Sequence, residues 1–152
     1  MAGQRSFHVA SGCIRVPEGG LPERLKAIFD GVTEAIRVHR PEEMAVEVVF
    51  MNRNADSALK LGQARGAAIV AGVQQDLPVF EFTPAQIKQA IVGRGRAEKA
   101  QVQYMVKVLL GLNNVPETDA ADALAVALCH GHTRETLTRM EGVRRRRGGR
   151  WA

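Results

Sequence analysis

From Leu21 onward, apolar side chains return at intervals of three and four: Leu25, Ile28, Phe29, Val32 and Ile36 draw one stripe along a helix that ends near Pro41. Three other segments follow a different rule. Met44 to Phe50 is a short, almost continuous apolar run rich in valine, the pattern of a strand buried on both faces of an α/β sheet, with Glu47 in its middle. Pro78 to Phe82 reads as a further strand. Phe7 to Val16 mixes β-branched and small residues and then meets Pro17 and Gly19-Gly20, which predicts a strand followed by a turn.

The remaining pattern is helical. Asn54 or Asp56 caps a helix running to about Gln75, filled with Gly62, Ala64, Gly66, Ala67, Ala68, Ala71 and Gly72. Each glycine inside a helix costs about 1 kcal/mol against alanine, so these imply a packing reason. Thr83-Pro84 is an N-cap with proline at the first helical position of a short helix to Val92. Gly93-Arg94-Gly95-Arg96 breaks it, and Ala97 to Leu110 resumes with Val102, Met105, Val106 and Leu109 on one face. A loop at Asn113 to Pro116 leads to a last helix, about Thr118 to His132. Beyond Gly142 apolar periodicity is lost and the pattern predicts disorder. The alternation of strands and helices predicts an α/β layer fold with one core, residues 1–142, and a basic tail, residues 143–152.

The net charge of +5 belongs to that tail, because Arg144, Arg145, Arg146, Arg147 and Arg150 are five of the 21 basic residues; without them the count equals the 16 acidic ones. Overall basicity is therefore weak evidence for a nucleic-acid partner, and local clusters must carry that argument. With 45% hydrophobic and 24% charged residues the chain has the composition of a folded domain. No apolar run approaches the roughly 18 to 20 residues that span a bilayer and the start lacks a signal-peptide pattern, which predicts a cytoplasmic protein. Cys13 and Cys129 lie far apart and outside any Cys-x-x-Cys pair, and are expected to be reduced packing residues.

Carboxylates are the chemical anomaly. Glu47 either points to a solvated face, alternating with Met44, Val46 and Val48, or sits in a buried strand where an ionised group needs a partner or a metal. Asp119 and Asp122 share one face at the start of a helix, as first-turn capping residues or as ligands. Together, a strand carboxylate and two helix carboxylates would suit two divalent ions over a scissile phosphate, and oxygen-only ligation favours magnesium or manganese over zinc. Spacing alone does not bring these segments together. Cys129, His130 and His132 diverge around a helix, which argues against zinc, and His8 and His39 belong to no pattern.

Several ordered motifs carry a resemblance. Val46-Glu47-Val48-Val49-Phe50, the run Asn54-Ala55-Asp56-Ser57-Ala58-Leu59-Lys60-Leu61-Gly62-Gln63-Ala64-Arg65-Gly66, and Asp119-Ala120-Ala121-Asp122-Ala123-Leu124-Ala125 resemble the RuvC-type Holliday junction resolvases. Ala10-Ser11-Gly12-Cys13-Ile14-Arg15 and the stretch from Val92 to Lys99 match as well, so the likeness runs from about Val9 to His132. It implies a ribonuclease-H-like mixed sheet flanked by helices, and a magnesium-dependent endonuclease, with manganese able to substitute and two ions per site, that nicks four-way junctions symmetrically in recombination and repair. Glu47, Asp119 and Asp122 would be the metal-binding catalytic carboxylates. Phe50 would stack on a junction base, Asn52, Arg53 and Asn54 would touch bases near the cut, and Lys88 and Lys99 would contact phosphates. Arg94 and Arg96 extend that basic stretch, in which Glu98 is the single acidic residue between Ala85 and Lys107. The small-residue helix resembles the family's dimer interface, and the expected partners are junction DNA, a second copy of the chain and a branch-migration motor.

The resemblance is incomplete. The family opens on a strand bearing Gly-x-Asp-Pro-Gly and a second strand hairpinned to it, whereas Met1 here aligns just before the third, so the first-strand aspartate has no counterpart in this sequence. In the family's sheet the missing pair lies between the Phe7 strand and the Glu47 strand, which predicts two unpaired inner edges and a chain that is unstable or inactive as it stands. Val48 also replaces a usual glutamine. A cleavage-incompetent protein that still grips branched DNA through Phe50, Lys88 and Lys99 is the alternative expectation, and a helical dimerisation remnant a third.

Overall fold

A computed structural model describes residues 5–48 and 54–148, the last eight of these as backbone only. The elements are α1 (Leu21–His39), β1 (Met44–Glu47), α2 (Ala55–Gln74), β2 (Val79–Phe82), α3 (Pro84–Val92), α4 (Lys99–Leu110) and α5 (Thr118–Gly148). Most boundaries have a local cause. α1 stops at Arg40, which takes a left-handed φ of 48°, because the residue before Pro41 is driven out of the helical region. Asn54 caps α2, its side-chain oxygen accepting from the backbone N–H groups of Asp56 (3.0 Å) and Ser57 (3.2 Å). A capping box between Glu98 and Gln101 starts α4, and Gly111 ends it at a φ of 62°, open to glycine without steric cost.

The chain gathers into two compact units. The first, residues 10–84, holds α1, β1, α2 and β2. β1 and β2 are parallel, in register from Met44 opposite Val79 to Glu47 opposite Phe82, and α2 is the crossover that a parallel pair requires. Ala58, Ala71, Gly72 and Phe82 are its buried residues. Gly72 lets the Met44 thioether lie against α2, and a Cβ there would make that side chain shift. The second unit, described over residues 85–148 with 5–9, packs α4 on α5: Val102 and Val106 lie against a helix face rich in alanine, with Ala120, Ala121, Ala125, Val126, Leu128 and Cys129 buried, and Ile87, Ile91 and Ala97 buried alongside.

Four expectations are corrected. Residues 7–16 form no strand, and Phe7 and Val9 are about four-fifths exposed; a strand exists only through its ladder, and the sheet among the described residues joins β1 to β2 alone. For the same reason β1 is not buried on both faces, its residues being half-buried or, at Glu47, exposed. Cys13 is exposed rather than packed, while Cys129 is buried. α5 continues past His132 to Gly148, so the backbone of residues 143–148 is helical. Glu135 and Arg139 form an i,i+4 pair at 2.5 Å that supports the helix past His132, and the Thr136 and Thr138 hydroxyls satisfy themselves on carbonyls four residues back.

Candidate active site

Glu47 is the last residue of β1, and its side chain is exposed. That exposure removes the desolvation cost that made an ionised carboxylate in a buried strand anomalous. The strand end is held from two sides. The Val48 N–H donates to the Phe82 carbonyl at 2.8 Å, continuing the ladder one step, and Arg65 on α2 donates through Nε to the Glu47 carbonyl at 3.1 Å. The same guanidinium donates through Nη2 to the Glu81 carboxylate on β2. Arg65 was not singled out from sequence, although a signal exists: it is the lone charged residue between Lys60 and Asp76 in a helix of small and apolar residues.

Asp119 and Asp122 lie in the first two turns of α5, the former exposed and the latter half-exposed. Their placement follows from the packing of α4 on α5, where the Gln103 side chain donates to the Thr118 hydroxyl at 3.3 Å and so ties α4 to the start of α5. Lys99, in the first turn of α4, brings its ammonium within 3.4 Å of Asp122 Oδ2. The expected phosphate-binding lysine thus neighbours one of the expected metal ligands. Lys88 is half-buried on α3, and Arg94 and Arg96 are exposed in the link to α4.

The three carboxylates divide between the units, Glu47 in one and the aspartates in the other. Among the described residues no group of three or more His, Cys, Asp and Glu side chains is placed to hold a metal ion. Phe50, Asn52 and Arg53 lie outside the described residues; Asn54 is described, and its side chain serves as the α2 cap. Cys129 has no site character: burial pushes its thiol up from its ordinary value, opposed by a weaker hydrogen bond with Thr133, and the thiol donates to the Gln86 carbonyl at 3.7 Å. No helix among the described residues is long and apolar enough to cross a membrane.

Comparison with known proteins gives a consistent answer. The family model described as crossover junction endodeoxyribonuclease RuvC matches residues 1–130. The crossover junction endodeoxyribonuclease RuvC of Shewanella piezotolerans is 58% identical over 140 residues, which is 92% of this chain and 81% of that protein. Its counterpart in Shewanella loihica is 57% identical over the same coverage. Among solved structures, Thermus thermophilus RuvC in complex with Holliday junction substrate aligns at a TM-score of 0.82 with 35% identity, covering 90% of this chain and 84% of that one. Another structure of Thermus thermophilus RuvC aligns at 0.72 with 39% identity, covering 80% and 74%. The fold is ribonuclease-H-like, and the chain belongs to the RuvC family of crossover junction endodeoxyribonucleases, hydrolases of DNA strands.

Proposed function

We propose that this endonuclease cuts four-way junction DNA with Glu47, Asp119 and Asp122 as its catalytic carboxylates. The supporting observation is their presentation: each lies inside the stretch shared with the family, and each is solvent-accessible at an element end, Glu47 closing β1 and the aspartates opening α5. Their donor set is oxygen only, which fits a hard divalent cation such as magnesium, with manganese as substitute, two ions per site. Bound magnesium supplies the lowered pKa of an attacking water and neutralisation of charge developing on the phosphate. The chain's own side chains do the rest. Lys88, Lys99, Arg94 and Arg96 hold phosphates; Phe50 stacks on a base, while Asn52, Arg53 and Asn54 contact bases beside the cut.

A homodimer completes the reading, because a four-way junction presents two symmetric strands. Leu59, Gly62, Gln63, Gly66, Val70 and Val73 follow one another along a single face of α2; Leu59, Val70 and Val73 are more than half exposed, and a Cβ at Gly62 or Gly66 would meet open space among the described residues. Such a stripe allows close approach by a second copy. In this reading the dimer works in the cytoplasm beside a branch-migration motor, with residues 1–142 as the catalytic domain and residues 143–152 as a basic tail that adds nonspecific DNA affinity.

The test is a synthetic four-way junction incubated with the purified chain and magnesium, beside Glu47→Gln. Nicking by the parent and retained binding without nicking by Glu47→Gln are expected. A parent that binds but never nicks would favour the cleavage-incompetent alternative, and absence of junction binding at low salt would sink both.

A further inference from the structure

We propose that Arg65 is the positioning residue for Glu47, and that it forms, with Glu81, a clamp across the carboxyl ends of the two strands. The inference rests on the reading of Glu47 as a catalytic carboxylate and adds a residue to which no role was assigned. Its basis is geometric. A side chain on α2 reaches both strands at once: Nε donates to the Glu47 carbonyl at 3.1 Å, and Nη2 donates to the Glu81 carboxylate. Glu81 is the register partner of Val46, immediately before Glu47. The planar guanidinium fork therefore spans the ladder where it ends, one residue after which the chain leaves the strand.

That location matters because a strand end is where backbone freedom returns. The peptide that follows Glu47 is tied to β2 through its N–H, which donates to the Phe82 carbonyl at 2.8 Å, while its carbonyl is taken up by Arg65; the direction of the Glu47 Cα–Cβ bond depends on the backbone angles that these two bonds fix. A charge-assisted hydrogen bond to the Glu47 carbonyl restricts the outgoing peptide, and so aims a side chain that is itself exposed. Arg65 is the best buried member of the clamp, its side chain 25% exposed against 55% for Glu81, and is thus screened less from its partners. Lysine would keep the charge but not the two-directional fork.

The experiment measures single-turnover nicking and junction affinity for the parent chain, Arg65→Met, Arg65→Lys, Glu81→Gln and Glu47→Gln, with far-UV circular dichroism and thermal melts on each. Arg65→Met should lower the nicking rate by about 10- to 100-fold, the effect of misplacing a reacting group by about an ångström, with junction affinity within about twofold of the parent. Arg65→Lys should recover part of that loss. Glu81→Gln, which leaves the bond to the Glu47 carbonyl in place and sits on an exposed side chain, should lose less, about 3- to 10-fold. A melt lowered together with affinity and rate, or an Arg65→Met chain that nicks at the parental rate while Glu47→Gln does not, would overturn the clamp alone. A parent that fails to nick, or a Glu47→Gln chain that nicks normally, would overturn the catalytic reading and the clamp with it.

Discussion

The two units of this chain bury their side chains by different rules. In residues 85–140 the buried set is continuous along helix faces: Val102 and Val106 are one turn apart on α4, and Ala121, Ala125, Leu128 and Cys129 follow at helical spacing on α5. In residues 10–84 the most strongly patterned helix, α1, has its whole stripe of Leu25, Ile28, Phe29, Val32 and Ile36 only half-buried, and both strands are thinly covered. A helix satisfies its own backbone and needs one neighbour to cover its stripe, whereas a strand needs neighbours on its edges before its faces can be covered at all. The helical unit is thus complete on local rules, and the sheet unit leans on single contacts such as Met44 against Gly72 and the Arg65 clamp.

The largest expected effect is at the proposed catalytic carboxylates. Glu47→Gln in the sheet unit and Asp122→Asn in the helical unit should each reduce junction nicking by roughly 1,000-fold or more, and the double variant should be hardly worse than either, as for groups that act together. Additive losses in a nicking assay would overturn the proposal that these carboxylates act together. Next, Val106→Ala in the packed unit should cost about 2 kcal/mol in urea unfolding, and Leu25→Ala on the half-buried stripe about 1 kcal/mol or less. Equal losses would break the contrast drawn between the units.

Smaller effects follow from charge. Lys88→Ala and Lys99→Ala should each weaken junction binding and reduce its logarithmic salt slope by about one, while Lys26→Ala, whose ammonium pairs with Asp30 at 2.5 Å on the exposed side of α1, should leave both unchanged. The smallest is a difference in thiol chemistry. Cys13 should alkylate readily in the native protein; Cys129 should react slowly, because burial favours its protonated form. The sign is fixed: a raised folded pKa means that the buried thiol contributes stability below its ordinary value of 9.0, and that this contribution is lost as pH rises through the raised value. Mass spectrometry after pulsed iodoacetamide at pH 7.5 and pH 10 reads both residues.

Much of this was legible in the residues. The stripe from Leu25 to Ile36, Asn54 as a cap, Pro84 at a helix start and the break at Gly93 to Arg96 are all local, and all recur in the structure with boundaries shifted by a residue or two. The capping box at Glu98 and Gln101 was missed because it moves the start of α4 two residues past the first apolar position, Ala97. The strand at Phe7 to Val16 failed for the opposite reason, since β-branched composition states a preference and not a partner. At the site, the sequence carried the carboxylates but neither the 3.4 Å approach of Lys99 to Asp122 nor the reach of Arg65 to the Glu47 carbonyl. Both join residues that only helix packing or a crossover makes neighbours.

By itself, then, the sequence determined that the helices exist and where most of them start, the two short strands at Met44 and Val79 and the family, because periodicity, caps and ordered motifs are properties of neighbouring residues. Tertiary structure alone decided that Glu47 is exposed, that β1 and β2 stand in register from Met44 and Val79, and that Arg65 joins them. Those facts depend on which segments meet across the sheet, and the free energy of such meetings resides in pairs that no local window contains.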